Sequence, residues 1–370
     1  MKNKLKIALV HDWLTGMRGG EKVLEVLCEL YPDADLYTLL HNKGTLSSTI
    51  ENMKIRTSFV DKLPLKEKRY RNYLPIFPAA IETFDFSEYD LVVSTSHCVA
   101  KNVKVKNGLH ICYCHTPMRY VWEMFDEYFG RGKTGLATRL AMKIIAPILR
   151  KWDVATSNRV NYYIANSYNV AGRIKSYYQK ESDVIHPPVD TDLFQLSTSN
   201  KDYYLIVSAL VPYKKNEIVI EAFNKLGRRL FIIGKGPEEE KLKTIANENC
   251  TFLGWKSNDE LAEYYSGCKA LLFPGIEDFG IVPLEAMACG KPVIAFAKGG
   301  ALETVVDQKT GVFFYKQNAD AIIEAVLKFE NIYLDAETIR EHAMKFSREK
   351  FKVQIGAYIK SKVNQHTMGY

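Results

Sequence analysis

Two glutamates at positions 277 and 285, in the stretch Glu-Asp-Phe-Gly-Ile-Val-Pro-Leu-Glu, form the pattern in this chain with the clearest chemical potential. A carboxylate accepts hydrogen bonds from two hydroxyls at once, which suits a sugar or a ribose. The first turn of a helix offers free backbone N–H groups to an anion such as a diphosphate. Carboxylates beside a helix start therefore predict a pocket for a nucleotide diphosphate sugar.

The elements around these glutamates predict how they are positioned. An apolar run over 270–274 precedes them, and a second apolar run follows Gly290, which indicates strand, loop, short helix and strand. Pro283 suits a helix start because its missing N–H is spare there, and Gly290 suits the helix end. Glu277 is then on the loop and Glu285 in or near the first helical turn. Both would lie at the carboxyl end of a strand, where open α/β sheets bind ligands.

The segment resembles the family 4 glycosyltransferases, through its Phe-Gly, Pro-Leu-Glu-Ala-Met-Ala and Gly-Lys-Pro-Val steps, and the resemblance covers almost the whole chain. It implies the GT-B fold: two Rossmann-like, doubly wound α/β domains facing each other across a cleft, with a C-terminal helix crossing back to the first domain. It also implies a retaining hexosyltransferase. By this resemblance Glu277 holds sugar hydroxyls, Glu285 holds the ribose, and the donor-binding segment also includes Phe279, Gly280, Ile281, Val282, Pro283 and Leu284.

Strand and helix patterns alternate twice along the chain, which predicts two parallel sheets covered on both faces. A helix is predicted over 21–30, and the strands are predicted at 7–10, 91–94, 109–113, 162–165, 203–207, 230–233, 250–253, 270–273 and 293–296. We predict a first domain over 1–186, a proline-containing linker over 187–200 and a donor domain over 201–346. Residues 347–370 would cross back to the first domain by resemblance.

The first loop, residues 11–22, joins the first strand to the first helix and contains Gly16, Gly19 and Gly20. Glycines let a backbone present its N–H groups closely to a phosphate. The spacing is not Gly-x-Gly-x-x-Gly, so a nicotinamide-dinucleotide site is disfavoured. The resemblance places this turn against the donor diphosphate, and we name Asp12 in the same loop as an acceptor contact.

A second loop, residues 114–123, follows a strand and contains His115 beside Pro, Arg and Trp. Its place at a strand's carboxyl end points to the ligand site. By resemblance His115 lies beside the transferred sugar, where it could hold a hydroxyl or stabilise developing charge. Arg119 and Trp122 are candidate acceptor contacts.

A third loop contains Lys214 and Lys215. The family commonly shows an Arg, four residues and a Lys that together clamp the diphosphate; Lys214 matches the Lys, but Ala209 stands at the Arg position. Lys215, which we assign to donor binding, Arg18 or another cation could compensate, or turnover could be slow. By resemblance the loops with Gly236, and with Trp255 and Lys256, support the sugar and nucleobase ends of the donor.

No metal or cofactor is expected. The triplet Asp33-Ala34-Asp35 precedes a predicted strand, and the triplet Asp190-Thr191-Asp192 falls in the predicted linker. Neither context suits a metal site. Fixed cations and helix-start N–H groups would then neutralise the diphosphate.

Seven scattered cysteines indicate reduced thiols in a cytosolic protein. The N-terminal apolar run is too short for a signal peptide, and no stretch approaches the ~20 apolar residues of a membrane span.

The net charge of +7 is modest and no nucleic-acid motif is present, which disfavours a nucleic-acid module. Bases mix with apolar residues over 62–78 and 133–151, segments that could lie on an anionic bilayer. We therefore expect a cytoplasmic protein, with contact at the inner face of the plasma membrane as an open alternative to ordinary surface helices. The acceptor expected by analogy is a lipid-linked or growing cell-surface glycan.

The donor expected from residues 113–123 and 211–214, which look most like the mannosyltransferase branch, is GDP-mannose. A UDP- or ADP-sugar donor is the alternative within the same enzyme class. An inactive glycan-binding relative would retain the fold, and Ala209 is the feature that favours it. A nucleotide-sugar epimerase of the same architecture is the third alternative, which the overall motif set disfavours.

Overall fold

The structure, a computed structural model, describes residues 5–130 and 134–368, except for the side chain of Lys68. Lys133, at the start of the second basic segment, lies outside the described residues, as do the ends of the chain. The chain divides into two compact units, Met1–Pro187 with Phe351–Tyr370 and Pro188–Lys350. Each unit is described by itself below.

The first unit contains a seven-stranded, fully parallel sheet with the strand order β3-β2-β1-β4-β5-β6-β7. Its strands are β1 Ile7–His11, β2 Asp35–Thr38, β3 Lys54–Thr57, β4 Leu91–Ser96, β5 Leu109–Cys114, β6 Tyr162–Ala165 and β7 Ser182–Val184. Its helices are α1 Gly19–Leu30, α2 Ser48–Glu51, α3 Lys66–Arg69, α4 Phe77–Ile81, α5 Phe125–Phe129, α6 Leu136–Thr156 and α7 Tyr168–Tyr178, with 3-10 turns at Phe59–Lys62, Tyr70–Ile76, Ala100–Asn102 and Ser157–Arg159.

The second unit contains a six-stranded, fully parallel sheet with the order β10-β9-β8-β11-β12-β13. Its strands are β8 Tyr204–Val207, β9 Leu230–Ile233, β10 Cys250–Gly254, β11 Leu271–Phe273, β12 Val293–Phe296 and β13 Gly311–Phe314. Its helices are α8 Asn216–Leu226, α9 Glu239–Ile245, α10 Asn258–Gly267, α11 Ile281–Ala288, α12 Ala301–Thr304, α13 Ala319–Glu330 and α14 Ala336–Ala343, with 3-10 turns at Pro212–Lys214 and Met344–Phe346.

The interior strands of both sheets are buried on both faces, as is usual in parallel sheets. In β1, Ala8 and Val10 enter one core while Leu9 enters the core on the opposite face. Strands Tyr204–Val207 and Val293–Phe296 alternate in the same way between two cores. The predicted pair of doubly wound α/β units is thereby confirmed.

The final helix, α15 Arg348–Met368, packs on the first unit, which confirms the predicted return of the chain. Phe351, Ile355 and Ile359 enter the core beneath the first sheet, and the ring of Phe351 meets Tyr113 edge-on at 5.8 Å. A spacing of four residues places all three side chains on one helix face.

Two local predictions need correction. The helix expected to start at Pro283 starts two residues earlier, at Ile281, because Gly280 adopts a φ of +99° and ends the loop there. Proline is tolerated inside the first turn because those N–H groups have no intrahelical partner. Residues 188–200, expected to form a linker, belong to the second unit, where Val189 and Phe194 are buried in its core.

Candidate functional site

The second unit brings two predicted loops together where its strand order reverses. Strands β8 and β11 are neighbours in the sheet, although β9 and β10 separate them in sequence. The loop after β8 contains Lys214, and the loop after β11 contains Glu277. Parallel α/β sheets bind ligands at such a reversal, beyond the carboxyl ends of the strands.

Lys214 and Glu277 form an ion pair across these two loops, from Nζ to Oε1. Their side chains are 16% and 27% exposed, so the pair is held in place yet still reaches solvent. Lys214 closes the 3-10 turn that follows β8, which fixes its backbone. The structure thus places the cation predicted to bind the diphosphate and the carboxylate predicted to bind the sugar within direct contact.

A glycine-rich loop after β12 fixes the backbone of Glu277. Gly300 donates its N–H to the Glu277 carbonyl at 2.9 Å. A Cβ added to Gly300 would collide with the backbone of Phe279, and Gly299 has a φ of +66°. Only glycine permits this close backbone approach together with that conformation.

The helix start beside this loop presents its first backbone N–H groups at the same edge of the sheet. Gly280 precedes helix α11, and Glu285 lies in the second turn of that helix. The Glu285 side chain is nearly buried and accepts a hydrogen bond from the Tyr265 hydroxyl at 3.0 Å. Burial, and then the neighbouring Glu285 carboxylate, raise the pKa of Tyr265 well above its usual value, so Tyr265 remains a donor.

The loop before helix α8 is held by the predicted Gly236 loop. Leu210 donates its N–H to the Lys235 carbonyl at 3.0 Å, and a Cβ added to Gly236 would collide with the Leu210 backbone. Lys215 has a φ of +57° immediately before α8. Ala209 occupies the position where the resembled family commonly has Arg, and it is exposed. This position therefore supplies no cation.

Trp255 and Lys256 lie elsewhere on this sheet, after the edge strand β10. The Trp255 side chain is 69% exposed. Lys256 pairs with Glu260 one helical turn away, at 2.8 Å. In this parallel sheet β10 is two strands away from β8, so both residues lie along the same carboxyl edge as the Lys214–Glu277 pair, at the end of the sheet.

The first unit brings Gly20 and His115 together. A Cβ on Gly20, in the first turn of α1, would lie 3.5 Å from His115 Nε2 and 3.6 Å from His11 Cε1. His11 ends β1 and His115 follows β5, while Gly16 lies in the loop before α1 with a φ of +139°. The predicted glycine turn and the predicted histidine thus share one edge of the sheet.

Sequence reasoning did not identify the residues that support this turn. His11 is fully buried, with Nδ1 2.6 Å from Thr95 Oγ1 and Nε2 3.7 Å from Glu21 Oε1. Burial raises the pKa of Glu21, but the hydrogen bond and charge of His11 outweigh it and leave that pKa below its usual value. Glu21 also accepts the Arg18 N–H at 3.1 Å, which closes the start of α1. In the sequence, the Glu that directly follows Gly19 and Gly20 was the feature that could have pointed to Glu21.

Asp12 holds the first unit together, which corrects its assignment as an acceptor contact. Its carboxylate is fully buried and accepts four backbone N–H groups, from residues 97–100, at 2.6–2.9 Å. His97 Nδ1 lies 3.1 Å from the same carboxylate. Burial above all, and then His11, lower the pKa of His97 to about 3. Asp12 therefore secures the loop after β4.

Trp122, the aromatic candidate for an acceptor contact, is half-buried and has structural partners in the first unit. Its Nε1 donates to Asp153 at 2.9 Å, and its ring stacks on Tyr177 at a centroid distance of 4.3 Å. Asp153 is fully buried in an ion pair with Lys101. Arg119, in the same loop, is half-buried.

Two other observations bear on where ligands bind. Among residues 5–130 and 134–368, no group of three or more His, Cys, Asp and Glu residues could hold a metal ion. A cavity of about 510 Å³ opens in the second unit among Asp202, Arg228, Lys269 and Glu330. Those charges already pair with one another, Arg228 with Glu330 and Lys269 with Asp202, each at 3.0 Å. The cavity lies at the amino ends of the strands, away from the candidate site.

Known proteins resemble this chain in sequence and in fold. Residues 190–348 match the family model of the glycosyl transferases group 1. An uncharacterised glycosyltransferase of Methanocaldococcus jannaschii is 30% identical over 53% of this chain and 56% of its own length. A GDP-mannose-dependent alpha-(1-6)-phosphatidylinositol monomannoside mannosyltransferase of Mycolicibacterium smegmatis is 34% identical over 38% of this chain and 44% of its own. The chain thus spans about half the length of these curated relatives.

The fold comparison covers nearly the whole chain. Sucrose-phosphate synthase from Thermosynechococcus elongatus superposes with a TM-score of 0.75 at 18% identity, over 98% of this chain and 100% of that one. At this identity the likeness concerns the fold alone, and it confirms the predicted GT-B fold.

Proposed function

We propose a function from the premise that this chain belongs to the glycosyl transferases of group 1. It transfers a hexose, most simply mannose from GDP-mannose, onto a lipid-linked or growing cell-surface glycan with an alpha linkage. Such a reaction belongs to polysaccharide assembly, of the lipopolysaccharide or capsule kind. The donor binds mainly to the second unit and the acceptor to the first.

The observation that carries this proposal is the Lys214–Glu277 pair beside the start of α11. The pair lies at the strand-order reversal of the second sheet and reaches solvent. A cation and a helix start suit a diphosphate, whereas carboxylates suit sugar and ribose hydroxyls. In this proposal Lys214 stabilises the departing diphosphate, Glu277 holds the sugar, and Glu285, oriented by Tyr265, holds the ribose.

The proposed reaction retains the anomeric configuration. Bond formation from the acceptor oxygen to the anomeric carbon takes place on the face from which the diphosphate departs, and the acceptor proton passes to the departing phosphate. A retaining mechanism through a covalent intermediate needs a nucleophilic carboxylate, but Glu277 is paired with Lys214. His115, close to Gly20, stabilises charge near the sugar in this proposal.

GDP-mannose is favoured over other donors because the Mycolicibacterium relative is a GDP-mannose-dependent mannosyltransferase. A UDP- or ADP-sugar would use the same pair. A catalytically inactive glycan-binding protein is the second candidate, and the exposed Ala209 at the expected Arg position favours it.

We place the protein in the cytoplasm, at the inner face of the plasma membrane. No helix in the described part of the chain has the length and apolarity for a bilayer crossing.

The direct test is nucleotide release from a panel of GDP-, UDP- and ADP-sugars, with EDTA present and Glu285→Ala as the comparison. We expect EDTA-resistant GDP release from GDP-mannose that Glu285→Ala loses. Selective release of UDP or ADP would replace the donor and leave the enzyme class intact. Release that EDTA abolishes would contradict metal independence, and nucleotide binding without release, with a glycan acceptor supplied, would favour the inactive glycan-binding protein.

A further inference from the structure

Helix α6 presents a row of large aliphatic side chains to solvent. Leu136, Leu140, Ile144 and Ile148 follow one another at four-residue spacing and are 68%, 53%, 70% and 64% exposed. At 1.5 Å per residue the row is about 18 Å long. Single exposed aliphatic residues are ordinary on protein surfaces, but a contiguous row marks an interaction surface.

The opposite face of the same helix is firmly packed. Met142, Ala146 and Leu149 enter the core of the first unit. Arg150, one of the basic residues of this segment, turns inward, where its guanidinium lies 5.6 Å from the Trp122 ring centroid. The aliphatic row is therefore displayed by a helix with a buried face of its own.

The exposed surface of α6 is positively charged. Lys143 and Lys151 are exposed beside the aliphatic row. The sole acidic residue of the helix, Asp153, is fully buried and paired with Lys101. The face consequently combines aliphatic side chains and cations with no exposed carboxylate.

A second segment of the first unit also exposes apolar and basic side chains, although it carries the exposed carboxylate of Glu67 as well. Phe59 and Leu65 are exposed, and Lys62 and Arg69 beside them are exposed as well. This segment packs through Val60 on the core that α6 also covers.

We propose that the exposed face of α6 docks on an anionic lipid bilayer. Aliphatic side chains enter the headgroup boundary while lysines contact anionic headgroups, as amphipathic helices do at membrane surfaces. A second copy of the chain fits less well, because a symmetric contact would bring the cations of one α6 face onto another α6 face that exposes no carboxylate to pair with them. This surface goes beyond the transfer reaction and does not depend on the donor.

Vesicle sedimentation of the full chain tests the proposal without any nucleotide sugar. The probes are vesicles of equal parts phosphatidylglycerol and phosphatidylcholine, and vesicles of phosphatidylcholine alone. We expect binding to the anionic vesicles, at least about tenfold weaker binding to the neutral ones, and a loss of about tenfold or more in Leu140→Ser/Ile144→Ser. Lys143→Gln/Lys151→Gln should weaken binding to anionic vesicles selectively.

The matched control is Leu302→Ser/Val353→Ser, which removes two exposed aliphatic side chains from other helices. It should bind vesicles as the unaltered chain does, and all variants should retain the thermal unfolding midpoint. Absence of binding to anionic vesicles, or equal loss in the control, would overturn the proposal. A dimer in ultracentrifugation that Leu140→Ser/Ile144→Ser dissociates, without vesicle binding, would assign the face to a second copy. Donor turnover, measured separately, keeps this outcome distinct from failure of the proposed reaction.

Discussion

The two units share one strand order around their reversal point but use acidic residues there in different ways. In the first unit Asp12, after β1, is fully buried and occupied by four backbone N–H groups. In the second unit Glu277, after β11, faces Lys214 and remains partly exposed. The same topology therefore supports a carboxylate that holds loops together and a carboxylate that can meet a ligand.

This difference shows that position at a sheet edge does not by itself assign function. A buried carboxylate that accepts several N–H groups contributes to stability, because its removal leaves those donors without partners. A partly exposed ion pair contributes little to stability, because solvent screens it. Substitution of the buried carboxylate in the first unit should therefore lower stability, whereas substitution of the ion pair in the second unit should lower turnover.

Replacement of Asp12 by Ala should have the largest effect on stability. Four buried N–H groups would lose their acceptor, so we expect the free energy of unfolding to fall by at least about 3 kcal/mol. Urea denaturation measures this change. Glu127→Ala, which removes an exposed carboxylate from α5, should change the free energy by less than about 0.5 kcal/mol. Similar changes in the free energy of unfolding for both variants would contradict the structural role of Asp12.

Replacement of Lys214 by Ala should give the opposite profile. We expect nucleotide release to fall about a hundredfold, because one fixed stabiliser of developing charge is lost. The free energy of unfolding should change by less than about 1 kcal/mol, since the pair is partly exposed. Lys225→Ala breaks a surface pair with Asp320 at 2.9 Å in the same unit and should leave turnover unchanged. Turnover within threefold of the unaltered chain would contradict the role of Lys214.

The buried His110 in the first unit should make the stability of the protein depend on pH. Its Nε2 lies 2.8 Å from Ser94 Oγ, and burial lowers its pKa to about 4, partly offset by the Arg159 carbonyl. The unfolded chain binds this proton near pH 6.5 but the folded chain does not, so stability falls as pH falls below 6.5. Between pH 6.5 and 5 we expect a loss of about 1.5 kcal/mol from this group. His110→Gln should remove that part of the slope, and an unchanged slope would refute it.

Replacement of Tyr265 by Phe should have the smallest effect. Glu285 would lose one hydrogen bond, and we expect GDP affinity to fall about fivefold in calorimetric titration. Tyr203→Phe is the matched control, since that hydroxyl donates to the Tyr264 carbonyl at 2.7 Å in the same unit. Equal affinity losses in both variants would mean that the Glu285 contact is not specific.

The sequence predicted most interior strands because they are buried on both faces, but it gave no bounds for the interior strand Asp35–Thr38 and did not predict the edge strand Gly311–Phe314. Strands Leu230–Ile233 and Val293–Phe296 form continuous apolar runs, and their bounds agree with the prediction. The edge strands Lys54–Thr57 and Ser182–Val184 were missed because they are short and polar. Edge strands need fewer apolar residues, since one side has no neighbouring strand.

The loops of the candidate site could be predicted, but their internal contacts could not. Strand ends and helix starts indicated where Lys214 and Glu277 lie, because local sequence determines both. The support of Glu285 by Tyr265 joins residues 20 positions apart. Asp12 captures N–H groups more than 80 positions away, so its structural role depends on tertiary packing.

The most direct test of the account is hydrogen–deuterium exchange of the full chain with and without GDP. We predict that GDP slows exchange in residues 208–216 and 275–285, the two loops that carry Lys214 and Glu277. Protection confined to the opposite end of the second sheet, around Asp202, Arg228 and Glu330, would contradict the assignment of the nucleotide to the carboxyl edge.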